Sequence, residues 1–203
     1  MSITIHIEGL DLAGKSTICR FIRDNYGFKL RNNALTEDNP LIKTADDHRK
    51  NKTLDDSVLG SLYLNVLRYD LAHYHESDQT RIVQDSTIIV RSIAFHSVVG
   101  DPKLAVAFRQ LLPDHPRFTR SCVLRSSDEV RLKRLQGRCS RKHDSPEDHL
   151  IYTSPELFHK MENIIIDLVC NEFGGTIIDS SEMEREGEKE RLASIILGSG
   201  RNE

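Results

Sequence analysis

The sequence has no apolar run approaching the roughly 18 residues that span a bilayer, so a membrane partner is not expected. Its opening, MSITIHIEG, lacks a basic stretch followed by an apolar one, which points to a cytoplasmic protein. Four cysteines, Cys19, Cys122, Cys139 and Cys170, lie far apart without CxxC pairing. Buried thiols are therefore expected rather than a disulfide framework or a zinc site. Nine histidines are scattered without HExxH-like spacing, which argues for surface or capping roles. Nor is there an excess of one charge: 28 basic against 31 acidic residues leave a net charge of -3. A chain without a basic field is not expected to bind nucleic acid non-specifically. Internal repeats are absent, and at 203 residues the chain suits one domain spanning 1–203.

What the sequence does contain is alternation of strands and helices. Ile3, Ile5 and Ile7 alternate with Thr4 and His6, marking a strand that runs into a glycine loop and a helix from about Lys15 to Asn25. Phe28 to Leu30 reads as a second strand, and the polar stretch Arg31 to Lys52 has no periodicity and reads as loop. From Thr53 to Glu76, Leu59, Leu62, Tyr63, Val66 and Leu71 recur at helical spacing. Arg81 to Asp85 is a third strand, leading into a helix to about Ser97, and Asp101 with Pro102 begins another. Ser121 to Leu124 is a fourth strand. Ser126 with Glu129 has capping-box spacing before a helix from Asp128 to about Gly137, and Thr153 with Glu156 repeats it before a helix to about Glu172. Gly174-Gly175 ends that helix, Thr176 to Asp179 is a fifth strand, and a last helix reaches about 197. Five strands linked by helices predict a mainly parallel sheet covered on both faces, a three-layer α/β/α fold.

Gly9-Leu10-Asp11-Leu12-Ala13-Gly14-Lys15-Ser16-Thr17 matches GxxxxGK[ST] in full, between a predicted strand and a predicted helix. Each part has a physical purpose. The glycines turn backbone N–H groups inward, the helix start adds partial positive charge, and Lys15 adds a full one. Lys15 is expected to reach the β- and γ-phosphates of ATP and the Ser16 hydroxyl to ligate Mg2+, with Thr17 packing in the helix. Gly9, Leu12, Ala13, Gly14, Lys15, Ser16 and Thr17 form the expected nucleotide-binding set.

The segment EGLDLAGKST resembles the phosphate loop of the thymidylate kinase family, EGxDxxGK[ST]. LYLNVLRYDLAH resembles that family's arginine-bearing helix, SSDEVRLKRLQGR the segment leading into its lid, SPELFHKM the helix after it, and TIIDSS its final strand. The resemblance implies a P-loop NTPase of the nucleoside monophosphate kinase type. ATP and Mg2+ are the implied cofactors, a nucleotide-like small molecule the acceptor, and a homodimer through the long helices is suggested. It carries roles onto Arg68, for the acceptor phosphate, and onto Asp85. Three positions depart from the pattern. No Phe-x-Arg-Glu-Pro appears near Lys29 to Asn33, Asp85-Ser86-Thr87 stands where Asp-Arg-Tyr or Asp-Arg-His is expected, and Ser92-Ile93-Ala94-Phe95-His96 replaces Ser-x-x-Ala-Tyr-Gln. Arg91 stands nearby as a substitute for the absent arginine.

Phosphoryl transfer needs alignment and charge neutralisation more than covalent chemistry, so cations are the candidates. Arg138, Arg141 and Lys142 lie in a segment placed as a lid, about 137–152, where two arginines suit an in-cis clamp and a solvated basic loop is the plainer alternative. Arg68 suits bidentate phosphate binding or an exposed helix position. Asp11 suits acceptor positioning. Asp85 suits Mg2+ contact, the orientation of an arginine, or a helix N-cap. Kinase action on a nucleoside or metabolite hydroxyl is the second reading. A regulatory nucleotide switch, with Gln84 the nearest water-orienting group, is the third.

Overall fold

The computed structural model describes residues 2–75, 80–139 and 150–198, with positions 138 and 139 described by their backbone alone. Five strands, β1 (Ile3–Glu8), β2 (Lys29–Asn32), β3 (Arg81–Asp85), β4 (Arg120–Arg125) and β5 (Thr176–Asp179), form one sheet in the order β2-β3-β1-β4-β5. Every neighbouring pair is parallel, with Ile5 opposite Val83 and Arg120, Leu30 opposite Val83, and Val123 opposite Ile177. The expected three-layer architecture is present, and all three of its inner strands are covered.

Period-two alternation in β1 assigns residues to layers rather than to core and solvent, because a parallel sheet is buried on both faces. Ile5 and Ile7 join one core with Ile18 and Ile22 of α1 (Lys15–Tyr26) and with Leu192 and Ile196 of α9 (Glu188–Leu197). The second core gathers Leu64 and Leu67 of α3 (Asp56–His73), Ile89 and Ile93 of α4 (Ile88–Val98), and Phe108 of α5 (Pro102–Arg109). Phe158 and Ile165 of α8 (Pro155–Asp167) complete it. His6 and Glu8 sit at no exposure within the sheet, so β1 carries two buried ionisable side chains where apolar ones are the rule.

Two sequence expectations are corrected. The stretch expected to be loop holds α2 (Ile42–Asn51), which buries only Ala45 and so shows no apolar period. Long-range hydrogen bonds hold this segment instead: Asp70 of α3, fully buried, accepts from Leu35 N (2.6 Å), Thr36 Oγ1 (2.5 Å) and Asn39 Nδ2 (2.8 Å). Tyr63 then donates to Asp46 Oδ1 at 2.7 Å, tying α2 itself to α3. Second, α6 (Asp128–Cys139) is capped by Ser127, which accepts from Val130 N at 3.4 Å. Ser126 Oγ faces inward and accepts from Arg131 Nε and Arg134 Nη1, both at 3.3 Å.

α7 (Leu150–Thr153) leads to α8, whose N-cap is Ser154 without a side-chain bond rather than a Thr153–Glu156 box, and whose last turn widens over Leu168–Glu172. Cys19, Cys122 and Cys170 are free thiols, and burial pushes Cys122 up to about 12. Among the described residues no helix is long and apolar enough to cross a membrane.

Candidate active site

The loop between β1 and α1 is built by two glycines that admit no side chain. Gly9 has φ 142°, and a Cβ there would lie 2.4 Å from the Leu124 carbonyl oxygen. Gly14 has φ 90°, and a Cβ there would lie 2.8 Å from the end of Met183. Gly14 is also the N-cap of α1, which has no capping side chain and no acidic residue in its first turn. The first-turn amides and the positive end of the helix therefore face the same opening as Lys15, an arrangement suited to an anion.

The charges around the loop are paired in a chain. Lys15, buried, donates to the Leu10 carbonyl at 3.0 Å and stands 4.0 Å from Asp11. Arg91, from the first turn of α4, donates Nη1 to Gly9 O at 3.0 Å and Nη2 to Asp11 Oδ2 at 3.0 Å. Burial, and then Arg91, lower the pKa of Lys15, while Asp11, Asp85 and Glu8 act the other way. Asp11 thus faces an arginine, one of the partners that makes a carboxylate tolerable inside a phosphate loop.

A cavity of about 520 Å3 opens from the loop, within the size range of small-molecule sites. Asp11, Lys15, Ser16 and Thr17 line its loop end, and Asp85 and Ser86 one flank. Ser86 is held at φ 62°, a left-handed turn uncommon for serine, with its N–H donated to Ile7 O at 3.0 Å. The far wall comes from Asp46 and Arg49 of α2, Gly60 and Tyr63 of α3, and Phe95 and His96 of α4.

The structure brings some of the expected residues together and not others. Asp11, Leu12, Gly14, Lys15, Ser16, Thr17 and Asp85 all line the cavity, whereas Gly9 and Ala13 are not among its lining residues. Thr17 is exposed and lines it, and is not packed in the helix. Arg68 is exposed on α3 and is not among the lining residues. The cavity face of α3 runs through Asp56, Leu59, Gly60 and Tyr63, so its continuation at Leu67 is core and Arg68 is turned off it. Gln84 is fully buried: Nε2 donates to Ser86 O at 2.7 Å, and Oε1 accepts from Arg31 Nε. It is not placed to orient a water in the cavity. The Arg138 side chain and Arg141 lie outside the described residues.

Several site residues escaped the sequence reading. Arg134 of α6 donates to Leu12 O at 2.8 Å and to Ser180 O at 2.9 Å, and pairs with Glu184 at 2.8 Å. It clamps the phosphate loop to the turn after β5, where Ser180 Oγ also donates to Ala13 O at 2.7 Å. Arg20, whose Nε donates to Ser16 O at 2.7 Å, and Arg49 bring further positive charge to the cavity lining. Only the placement of Arg134, three residues after the buried Arg131 on one helix face, was visible as a spacing.

The sheet order, the glycine loop and the helix that follows it define the fold of P-loop nucleoside monophosphate kinases. No protein-family model matches the sequence, and no curated protein does. Among solved structures, thymidylate kinase from Candida albicans is similar with a TM-score of 0.68 and 21% identity, over 98% of this chain and 92% of that one. Deoxyadenosine kinase from M. mycoides, with dATP bound, is similar with a TM-score of 0.61 and 18% identity, over 97% of this chain and 100% of that one. The same enzyme with dCMP and dCDP gives 0.62 and 19%, over 97% of each chain.

Proposed function

We propose that this protein transfers the γ-phosphoryl group of ATP to the phosphate of a nucleoside monophosphate. The observation that carries this reading is one cavity lined by Lys15 and Ser16 of the phosphate loop, by Arg49 of α2 and by Arg91 of α4, with Arg91 bonded to the loop at Gly9 O and Asp11. Donor and acceptor phosphates brought into one such cavity meet compensating cations, which is the main requirement of phosphoryl transfer.

In this reading the first-turn amides of α1 and Lys15 hold the donor polyphosphate. Arg91, oriented by Gly9 O and Asp11, lies where donor and acceptor meet, and Arg49 receives the acceptor phosphate in place of Arg68. Ser16 and Asp85 are the oxygen donors suited to Mg2+. Both line the cavity, and no cluster of three or more His, Cys, Asp or Glu among the described residues competes for a metal. When bound, the ion would neutralise charge on the β- and γ-phosphates.

A second reading, in which the acceptor is an uncharged hydroxyl, draws on the wall itself. Asp46, Asp56, Tyr63 and the pair Asn32 and Asn33 line the cavity with hydrogen-bonding groups as well as charge. Thymidylate kinase and deoxyadenosine kinase, both of this fold, differ in just this respect. ADP release with ATP and Mg2+, measured over a panel of nucleoside monophosphates, nucleosides and small alcohols, separates the readings. Release that depends on a phosphorylated acceptor supports the first, release that depends on a hydroxyl compound supports the second, and release independent of any acceptor removes both.

A further inference from the structure

We propose that His6 is a positioning residue acting through Glu8: it directs a donor at the carboxylate that ties Gly9 to Thr87, and so keeps the phosphate loop and the start of α4 in register. Glu8 has no exposure. Its Oε1 accepts from Gly9 N at 3.2 Å, the first amide of the loop, and its Oε2 accepts from Thr87 N at 3.0 Å, the N-cap of α4. One buried carboxylate therefore joins the element that carries Lys15 to the helix that carries Arg91.

His6 lies two residues earlier on the same face of β1, also with no exposure, and its Nε2 is 3.5 Å from Glu8 Oε2. At that distance the contact is electrostatic rather than a formed hydrogen bond, and neither ring nitrogen has a hydrogen-bond partner among the described residues. The tautomer with its proton on Nε2 aims a donor dipole at Glu8 and leaves only a lone pair unpartnered at Nδ1, the less costly arrangement in a core. The ring is fixed in place, stacked on Phe118 at 4.5 Å and 26° and met edge-on by Phe173 at 5.7 Å. A phenylalanine would fill this aromatic slot, so packing alone does not call for histidine.

The groups facing the pair come from every adjoining element. Lys15 and Arg91 lie on the loop side of Glu8. Cys122 of β4 feels its charge. His115, beside Phe118 and Phe173, is held neutral by burial at about 4, with His6, Arg31 and Arg117 contributing. Burial raises the pKa of Glu8, but His6 followed by Arg91 and Lys15 outweighs it, so the net shift is downward. The two amide bonds are thus secure at neutral pH and are lost as pH falls through the folded-state pKa of Glu8. A bound polyphosphate would draw on Lys15 and Arg91, leaving His6 as the compensating group that no substrate shares.

The test follows the Gly9 and Thr87 amide resonances of the 15N-labelled protein through an acid titration, in wild type, His6→Phe and His6→Gln. His6→Phe is expected to raise the common midpoint of both amides by about one pH unit, and His6→Gln, which keeps a donor, by less. A folded His6→Phe with the wild-type midpoint overturns the proposal, whatever its melting temperature. Should His6→Phe not fold, His6→Gln against His6→Leu decides by the same difference in midpoint, and equal midpoints overturn it. The consequence for phosphoryl transfer rests on the proposed function. The titration uses no nucleotide, so failure of acceptor-dependent ADP release would remove that function and leave the midpoints to decide the role of His6.

Discussion

The two ends of the cavity are held by different kinds of bond. At the loop end the binding groups come from one unbroken run, Gly9 to Thr17, and are mostly backbone amides, with Arg91, Arg134 and Ser180 bracing that run from outside through its carbonyl oxygens. At the far wall the groups are side chains from three helices, and α2, with Ala45 its only buried residue, depends on hydrogen bonds anchored in α3. A site made of backbone tolerates change in its surroundings but not in its glycines. One made of side chains can change what it recognises by substitution while the loop end stays as it is.

That contrast is open to direct attack, beginning at the loop. Lys15→Ala is expected to lower ATP-dependent turnover by at least about 100-fold while leaving the fold intact, as read from ADP release together with thermal melting. Undiminished turnover would break the assignment of the loop end. At the wall, Asp70→Ala leaves the buried donors of Leu35 and Asn39 and the half-buried hydroxyl of Thr36 without their acceptor and should destabilise the protein by about 3 kcal/mol. Urea unfolding gives that number, and a loss under about 0.5 kcal/mol would show that α2 does not depend on Asp70.

Smaller effects sharpen the acceptor side. Arg49→Ala is expected to raise the KM of a phosphorylated acceptor about 10-fold with little change for ATP, whereas Arg68→Ala should alter either constant by less than about two-fold. The reverse ranking would return the acceptor phosphate to Arg68. Gly60→Ala tests the fit between α3 and α4, since its Cβ would lie 2.4 Å from His96 Nε2. Overpacking should destabilise by about 1–2 kcal/mol, outweighing the helix preference of up to about 1 kcal/mol that alanine brings. A more stable Gly60→Ala would mean that His96 yields easily and that this part of the wall is soft.

Local rules made the loop end readable. β1, α1, β3 and β5 were placed nearly to the residue because an apolar period, a glycine pair or a run of β-branched residues marks each of them. Asp11 was marked by the loop motif as a site residue, and the fold sets it against Arg91. α2 was missed for the opposite reason. Tyr63 to Asp46 ties it to α3, and Asp70 to Leu35, Thr36 and Asn39 holds the segment before it, all between residues 17 or more positions apart, which leave no local pattern. Arg68 lies a single position off the cavity face of α3, and neighbouring residues on a helical wheel point about 100° apart. Arg49, in a stretch without periodicity, gave no sign at all.

By itself the sequence determined the parallel three-layer fold and the phosphate loop, because both follow from short-range pattern and from backbone geometry that only certain residues permit. Tertiary structure alone decided which cations face the cavity, what holds the far wall, and that His6 and Glu8 share the centre of the sheet. Those outcomes depend on where distant segments meet, and a residue's neighbours along the chain do not encode that.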